Sequence, residues 1–306
     1  MKKTRIALAL YGVCLSMVAA FTACSSIDEN ERLIYVEPLV PVDTTTVIAE
    51  TDSLYDAPIA VVSRRVLIED HTGQRCPNCP DAAVLVHEYQ QTFGDLIVPV
   101  AIHSEMQGIM EPEGLGNELG NTYYKNWNLE YKPAGLLNRV DFGGMRVLDK
   151  TTWTVALQYL MQPEYLETPL DIRIRARQAE DNPQEANVDV KVLCTKPEAT
   201  VNGKLQVWVT EDNIIARQDS MGTRVDNYVH NHVLRASLNG AWGEDISLSG
   251  AEGNNVRELH YTATLSPAWK PQDLVIVAFV YDGDGDGDGE VRQVAKSKLK
   301  VNESSK

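Results

Sequence analysis

Cysteine is scarce in this chain, and its spacing cannot complete a metal cluster. There are five cysteines in 306 residues; only Cys76 and Cys79 lie close together, and Cys194 is far along the chain. One Cys-x-x-Cys supplies two ligands, half of a structural zinc site, which argues against zinc. Long hydrophobic runs are missing too. The apolar stretch 6–21, preceded by Lys2, Lys3 and Arg5, is too short and wrongly flanked for a stable membrane span, and it reads as the core of a signal peptide. Positive charge is in deficit. Against 43 Asp and Glu stand 28 Lys and Arg, a formal charge of −15, or −18 without the three basic residues of the leader. Nucleic acid and anionic lipid both call for a basic patch, so this balance argues against either as a partner.

What is present starts with the end of that leader. Residues 21–24 read Phe-Thr-Ala-Cys. Small residues before a cysteine at the close of a signal peptide resemble a bacterial lipoprotein box, with Phe21 a departure from the usual Leu. On this reading residues 1–23 are removed and Cys24 is diacylated, with palmitate among the acyl chains, because more than one chain is needed for stable anchoring. The alternative is plain secretion with cleavage after Ala23. Either way Cys14 is lost. Asp28, Glu29 and Glu31 follow at once. They resemble the acidic signal that sends Bacteroidetes lipoproteins to the outer face of the outer membrane, although such runs are also ordinary solvated tails. Residues 24–60 read as a tether, with Pro38, Pro41, Pro58 and a Thr44-Thr-Thr run. Asp43-Thr-Thr and Asp52-Ser-Leu there resemble Bacteroidetes O-glycosylation sites.

Residues 69–80 carry the most chemistry: Glu-Asp-His-Thr-Gly-Gln-Arg-Cys-Pro-Asn-Cys-Pro. The apolar run 65–69 before them reads as a strand. Residues 81–93 after them read as a helix, with Val84, Leu85 and Tyr89 at helical spacing. Cys-x-x-Cys between strand and helix is the thioredoxin-like redox arrangement. Cys76 is expected at the helix N-terminus, where free N–H groups and Arg75 favour its thiolate. It would attack, and Cys79, one turn in and less exposed, would resolve the mixed disulfide. The competing reading is a structural disulfide, although a four-residue loop gains only ~2 kcal/mol by chain entropy. Asp70 lies six residues before Cys76, where classical thioredoxins carry a buried acid. It would shuttle protons to Cys79, or else cap the strand end.

The rest of a thioredoxin-like domain, 61–163, follows. A continuous apolar run at 96–102 suits a strand covered on both faces and joined by a right-handed parallel crossover. A Gly- and Asn-rich insert, 103–130, holds Tyr123, Tyr124 and Trp127 and reads as packed and helical. Pro133 is the candidate for the cis-proline that faces the cysteines in thioredoxin-like folds, with Lys132 offering backbone groups to an extended substrate; base rates favour trans. A closing helix is expected at 152–161.

Residues 167–301 read as an all-β, immunoglobulin-like sandwich. Leu170, Ile172, Ile174 and Ala176 alternate with polar residues, as do Val188, Val190, Val192 and Cys194, and Leu205, Val207 and Val209. Further strands are expected at 258–265, 273–281 and 290–299. Cys194 is expected to be a buried free thiol. His230-x-His232 would present both imidazoles on one strand face. Asp282, Asp284, Asp286 and Asp288 alternate with Gly and resemble the start of a calcium loop, but Gln293 replaces its bidentate Glu and strands flank it, so it also reads as a hairpin tip.

Three stretches together resemble one family: Thr72-Gly-x-x-Cys76-x-Asn-Cys-Pro80, Lys132-Pro-x-Gly-Leu-Leu-Asn-Arg139 and Tyr228-Val-His-Asn-His-Val-Leu-Arg235. They resemble the Bacteroidetes outer-membrane lipoproteins first described as a twenty-eight-kilodalton surface antigen. The resemblance implies a thioredoxin-like domain joined to an immunoglobulin-like one. It also implies anchoring in the outer membrane by lipid and exposure to the exterior. Arg75 replaces the usual aromatic before the first cysteine. The expected activities are a surface binding or accessory protein with a mostly structural disulfide, a thiol–disulfide oxidoreductase, or an adhesin or fimbria-like component. No cofactor beyond calcium is expected, and the expected partners are the membrane and a surface protein.

Overall fold

The first strand, β1 (Val66–Thr72), is buried along its whole length, as an element covered on both faces must be. It pairs in parallel with β2 (Ile97–His103). Helix α1 (Cys79–Phe93) makes the crossover between them. The computed structural model describes residues 54–283 and 289–302, all within one compact unit, Leu39–Lys306. The leader, Cys24, the acidic run, most of the tether, and Asp284, Asp286 and Asp288 lie outside the described residues.

Helix α1 turns Ala82, Val86 and Tyr89 inward, so the buried stripe is offset from the expected Val84 and Leu85, which are half-buried. The insert contains α2 (Glu118–Asn126), capped by the Asn117 side chain accepting from the Gly120 amide, with Tyr123 fully buried. Strand β3 (Ala134–Leu137) pairs antiparallel with β1, and the short β4 (Leu148–Asp149) pairs with β3. Helix α3 (Lys150–Leu160) follows, then the single turn α4 (Pro163–Leu166). The indole of Trp153 on α3 lies where a Cβ on Gly135 would sit, 2.4 Å from the ring, so only glycine lets helix and strand close up.

The remaining strands are β5 (Leu170–Gln178), β6 (Glu185–Cys194), β7 (Thr200–Glu211), β8 (Ile214–Ser220) and β9 (Thr223–His230). They continue with β10 (Val233–Ser237), β11 (Glu244–Ser249), β12 (Val256–Thr264), β13 (Leu274–Tyr281) and β14 (Val291–Lys298). The expected alternation holds: the inward residues of β5, β6 and β7 share one core with Ile246, Leu248, Leu274 and Ile276, between the sheet β12-β6-β5 and the strands around β7. Cys194 is a buried free thiol within it.

One sheet runs across the boundary expected at 163–167. Its order is β14-β13-β7-β10-β2-β1-β3-β4, with β11 also on β7. The seam is β10 beside β2, Val233 opposite Ala101. A second core is shared across it: Leu67, Val98, Val100, Ile102 and Tyr123 pack with Trp208, Phe279, Tyr281 and Val294. The molecule is thus mostly β, with mixed parallel and antiparallel pairing. Strand patterns mark which face of a strand is apolar but not which edge it joins, so this seam had no signature in the sequence.

The end of the expected tether is part of the fold. Tyr55 is buried, with the Arg175 guanidinium 4.1 Å and the Lys191 ammonium 4.3 Å from its ring centre. Arg173 donates to the carbonyls of Ala57 and Pro58. The outward arginines of β5 are therefore not simply a solvated face.

Candidate functional site

The Cys76–Cys79 disulfide is formed, with Cα atoms 5.4 Å apart. Helix α1 begins at Cys79 with Asn78 at its cap. Cys76 therefore lies in the turn before the helix rather than on its first residues. The expected exposure of Cys76 is corrected as well: it is 0 % exposed, and Cys79 2 %. The cover is the β8–β9 hairpin, two strands that pair only with each other. Gln218 donates from Nε2 to the carbonyls of Gly73 and Cys76 at 3.1 and 3.0 Å. The Asp219 amide donates to Gln74 O and the Met221 amide to Pro77 O, at 2.8 and 3.1 Å. Gln74 in turn donates from Nε2 to Arg217 O. An approaching chain would find these carbonyls occupied.

Beneath the hairpin lies a cavity of about 50 Å³. Asp70 and Thr72 enter it from β1, Cys79, Pro80 and Val86 from α1, Ala101 and His103 from β2, and Tyr228 and His230 from β9. Period two puts Asp70 on this face and sends Glu69 and His71 to the other. Asp70 is buried and its Oδ1 has no hydrogen-bond partner. Burial pushes its pKa up to about 7 against the pull of the Lys132 ammonium. Tyr228 Oη and His103 Nδ1 are also buried without partners. Burial raises the Tyr228 phenol and lowers the imidazoles, His230 to about 4 and His103 well below its ordinary range. His103 and His230 meet edge to face with centroids 5.5 Å apart.

The Lys132–Pro133 peptide is cis. Lys132 is buried, and its ammonium donates to Thr72 O, Ser104 Oγ and Met106 O at 2.5–2.8 Å. Burial lowers its pKa to about 7, with Asp70 acting in the opposite sense. The Arg139 that closes the same motif is buried against Glu69, a two-pronged pair with both contacts at 2.7 Å. Its guanidinium also faces Phe279 and Tyr281 across the seam.

His230 and His232 do not share a strand face. His230 ends β9, whereas His232, at φ 59°, lies in the turn to β10 and pairs with Asp212 at 3.0 Å. The intervening turn breaks the period-two rule that the expectation relied on. Among the described residues, no three His, Cys, Asp or Glu side chains are placed to hold a metal ion. Asp282 joins β13 to β14, its amide donating to Glu290 O and its carboxylate 3.5 Å from Arg292. Gln218, His103 and the Lys132 ammonium were missed from sequence. Asp70, Cys79 and the Tyr228–His230 run, all singled out in the sequence, are the parts of this cavity it made visible.

This architecture defines a β-rich protein that carries a buried Cys-x-x-Cys disulfide beside a small cavity into which Asp70, His103 and His230 project. Residues 120–303 match the family described as Outer membrane protein Omp28, and the chain belongs to that family. The match spans β3 to β14 and begins after the cysteine pair and after β2, so it holds only one side of the seam. Among solved structures, HBP35 of Porphyromonas gingivalis is similar with a TM-score of 0.60 at 11% identity, over 79% of this chain and 77% of that one. At that identity the likeness shows the fold alone. A domain of the outer membrane lipoprotein Omp28 from Porphyromonas gingivalis is 25% identical over 44% of this chain and 90% of its own length, with a TM-score of 0.32. The Agrobacterium tumefaciens protein AGR_C_4864 is 15% identical with a TM-score of 0.49, over 81% of this chain and 97% of that one. No curated protein matches. The protein is therefore an outer-membrane protein of the Omp28 family.

Proposed function

We propose that the chain is a lipoprotein held in the outer membrane through Cys24, facing the exterior, and acting as a binding or accessory protein. On this reading 61–163 is a thioredoxin-like module fused to an immunoglobulin-like one at 167–301, and the disulfide is a structural clamp. The observation that carries it is the burial of both half-cystines under the β8–β9 hairpin. A surface location, with no evident electron donor to recycle a reductase, points the same way. The decisive test is the reduction potential of the Cys76–Cys79 pair. Structural disulfides sit below about −300 mV and labile or catalytic ones above. A value above that threshold defeats the structural reading. The anchor is tested separately: Cys24→Ala should release soluble protein and abolish labelling by a clickable palmitate analogue, and unchanged membrane association would refute it.

A specific observation favours a second reading, a thiol–disulfide oxidoreductase. Asp70, with its raised pKa, shares a cavity with Cys79. A carboxyl that titrates near neutrality can hand a proton to a leaving thiolate and take it back. On this reading Cys79→Ser traps partners through Cys76, and Cys76→Ser traps few. If neither variant traps any, the second reading fails.

A further inference from the structure

The β8–β9 hairpin is built inside out for a strand pair packed on a protein. Its buried residues are Gln218, Ser220, Tyr228 and His230, each bearing a polar atom. Of its other apolar side chains Ile215 and Met221 lie outward, 64% and 59% exposed, and Ile214, Ala216, Val225 and Val229 are half-buried. Lifting it would uncover one large buried apolar group of its own, the Tyr228 ring. It would also give up hydrogen bonds, which water replaces at small net cost. Asp70 Oδ1, His103 Nδ1 and Tyr228 Oη, buried with no protein partner, would be exposed to solvent by the same movement. Elements with little buried apolar surface are those that open locally while the fold persists.

From this we infer that the hairpin is a displaceable cover that gates the Cys76–Cys79 disulfide toward thiols. When the cover lifts, a thiolate attacks one sulfur and the S–S bond breaks. The displaced sulfur leaves as a thiolate and takes up a proton. The incoming sulfur is oxidised into the mixed disulfide, and the displaced one is reduced. Reaction with a second thiol of the same partner releases an oxidised partner and a Cys76, Cys79 dithiol. What the gate is for rests on the oxidoreductase reading, but its existence does not.

The test uses the whole protein and dithiothreitol. In the native protein, the Asp219 and Met221 amides, bonded to Gln74 O and Pro77 O, should exchange hydrogen at least a hundredfold faster than the β6 amides. Gln218→Ala removes the bonds to Gly73 O and Cys76 O and should speed reduction by dithiothreitol about tenfold, the equivalent of one to two broken hydrogen bonds. β6 exchange should be unchanged. Equal reduction rates in the two proteins, or Asp219 and Met221 exchanging as slowly as β6, would overturn the gate. So would faster reduction matched by equally faster β6 exchange. Failure to trap a partner with Cys79→Ser while the gating persists would remove the oxidoreductase reading alone.

Discussion

The β12-β6-β5 sheet and the β8–β9 hairpin are both antiparallel assemblies laid against the large sheet, but they are held by opposite means. Strand β6 buries Ala186, Val188, Val190, Val192 and Cys194 in a continuous apolar core. The hairpin buries only Gln218, Ser220, Tyr228 and His230, and meets the body through hydrogen bonds to backbone carbonyls and the rings of Tyr228 and His230. Apolar burial contributes roughly 25 cal/mol per Å² and is lost all at once when a sheet separates. Hydrogen bonds exchange with water one by one at small net cost. The difference separates a part that defines the fold from a part that can leave without unfolding it, and the Cys76–Cys79 disulfide lies under the second.

The largest expected effect sharpens the apolar side of this contrast. Val190→Asp places a charge in a fully buried core position with no partner. The protein should fail to show a cooperative melt by circular dichroism, and a melt within a few degrees of native would mean that the core of this sheet is looser than its burial implies. Next comes the seam. Arg139→Ala leaves Glu69 buried and uncompensated, a change that costs about 3–5 kcal/mol. Denaturant unfolding should show that loss as one transition for the whole unit. Two separated transitions would mean that the seam, and not only the hairpin, can part.

The smallest effect reads the cavity under the hairpin. The folded pKa of Asp70 is raised to about 7 from an ordinary 3.8, so the fold binds the proton more tightly than the unfolded chain does. Its contribution is full below about pH 4 and is lost as pH rises to about 7. Asp70→Asn should therefore gain stability over the native protein at pH 8 and not at pH 4, measured as the difference in denaturant midpoint. A pH-independent difference would show that Asp70 is solvated, with the hairpin open most of the time.

The sequence made some of this architecture legible and left the rest silent, for physical reasons. Period-two alternation identified the inward residues of β5, β6 and β7, because a half-buried strand must segregate its faces. The continuous apolar run of β2 announced a strand covered on both sides. The cysteine spacing marked the disulfide, and its offset to Asp70 marked a buried acid. The hairpin escaped notice because its inward residues are polar, so the usual signal for a packed strand is inverted in it. For the same reason the exposure of Cys76 was misjudged: a roof that comes from more than a hundred residues away and is held by amides leaves no local trace. Lys132 was read for its backbone, whereas its buried ammonium ties the carbonyls of Thr72 and Met106 together beside Asp70.

The Tyr55 clamp has a mechanical consequence. Among the described residues, tension applied along the N-terminal chain first meets Tyr55, held between Arg175 and Lys191, and the Ala57 and Pro58 carbonyls held by Arg173. The force is thus delivered to β5 and β6, whose strands are locked into the apolar core, before it can reach β1. Pulling on the protein from that end would strain its sturdiest sheet while the cysteine turn and its cover stay unloaded.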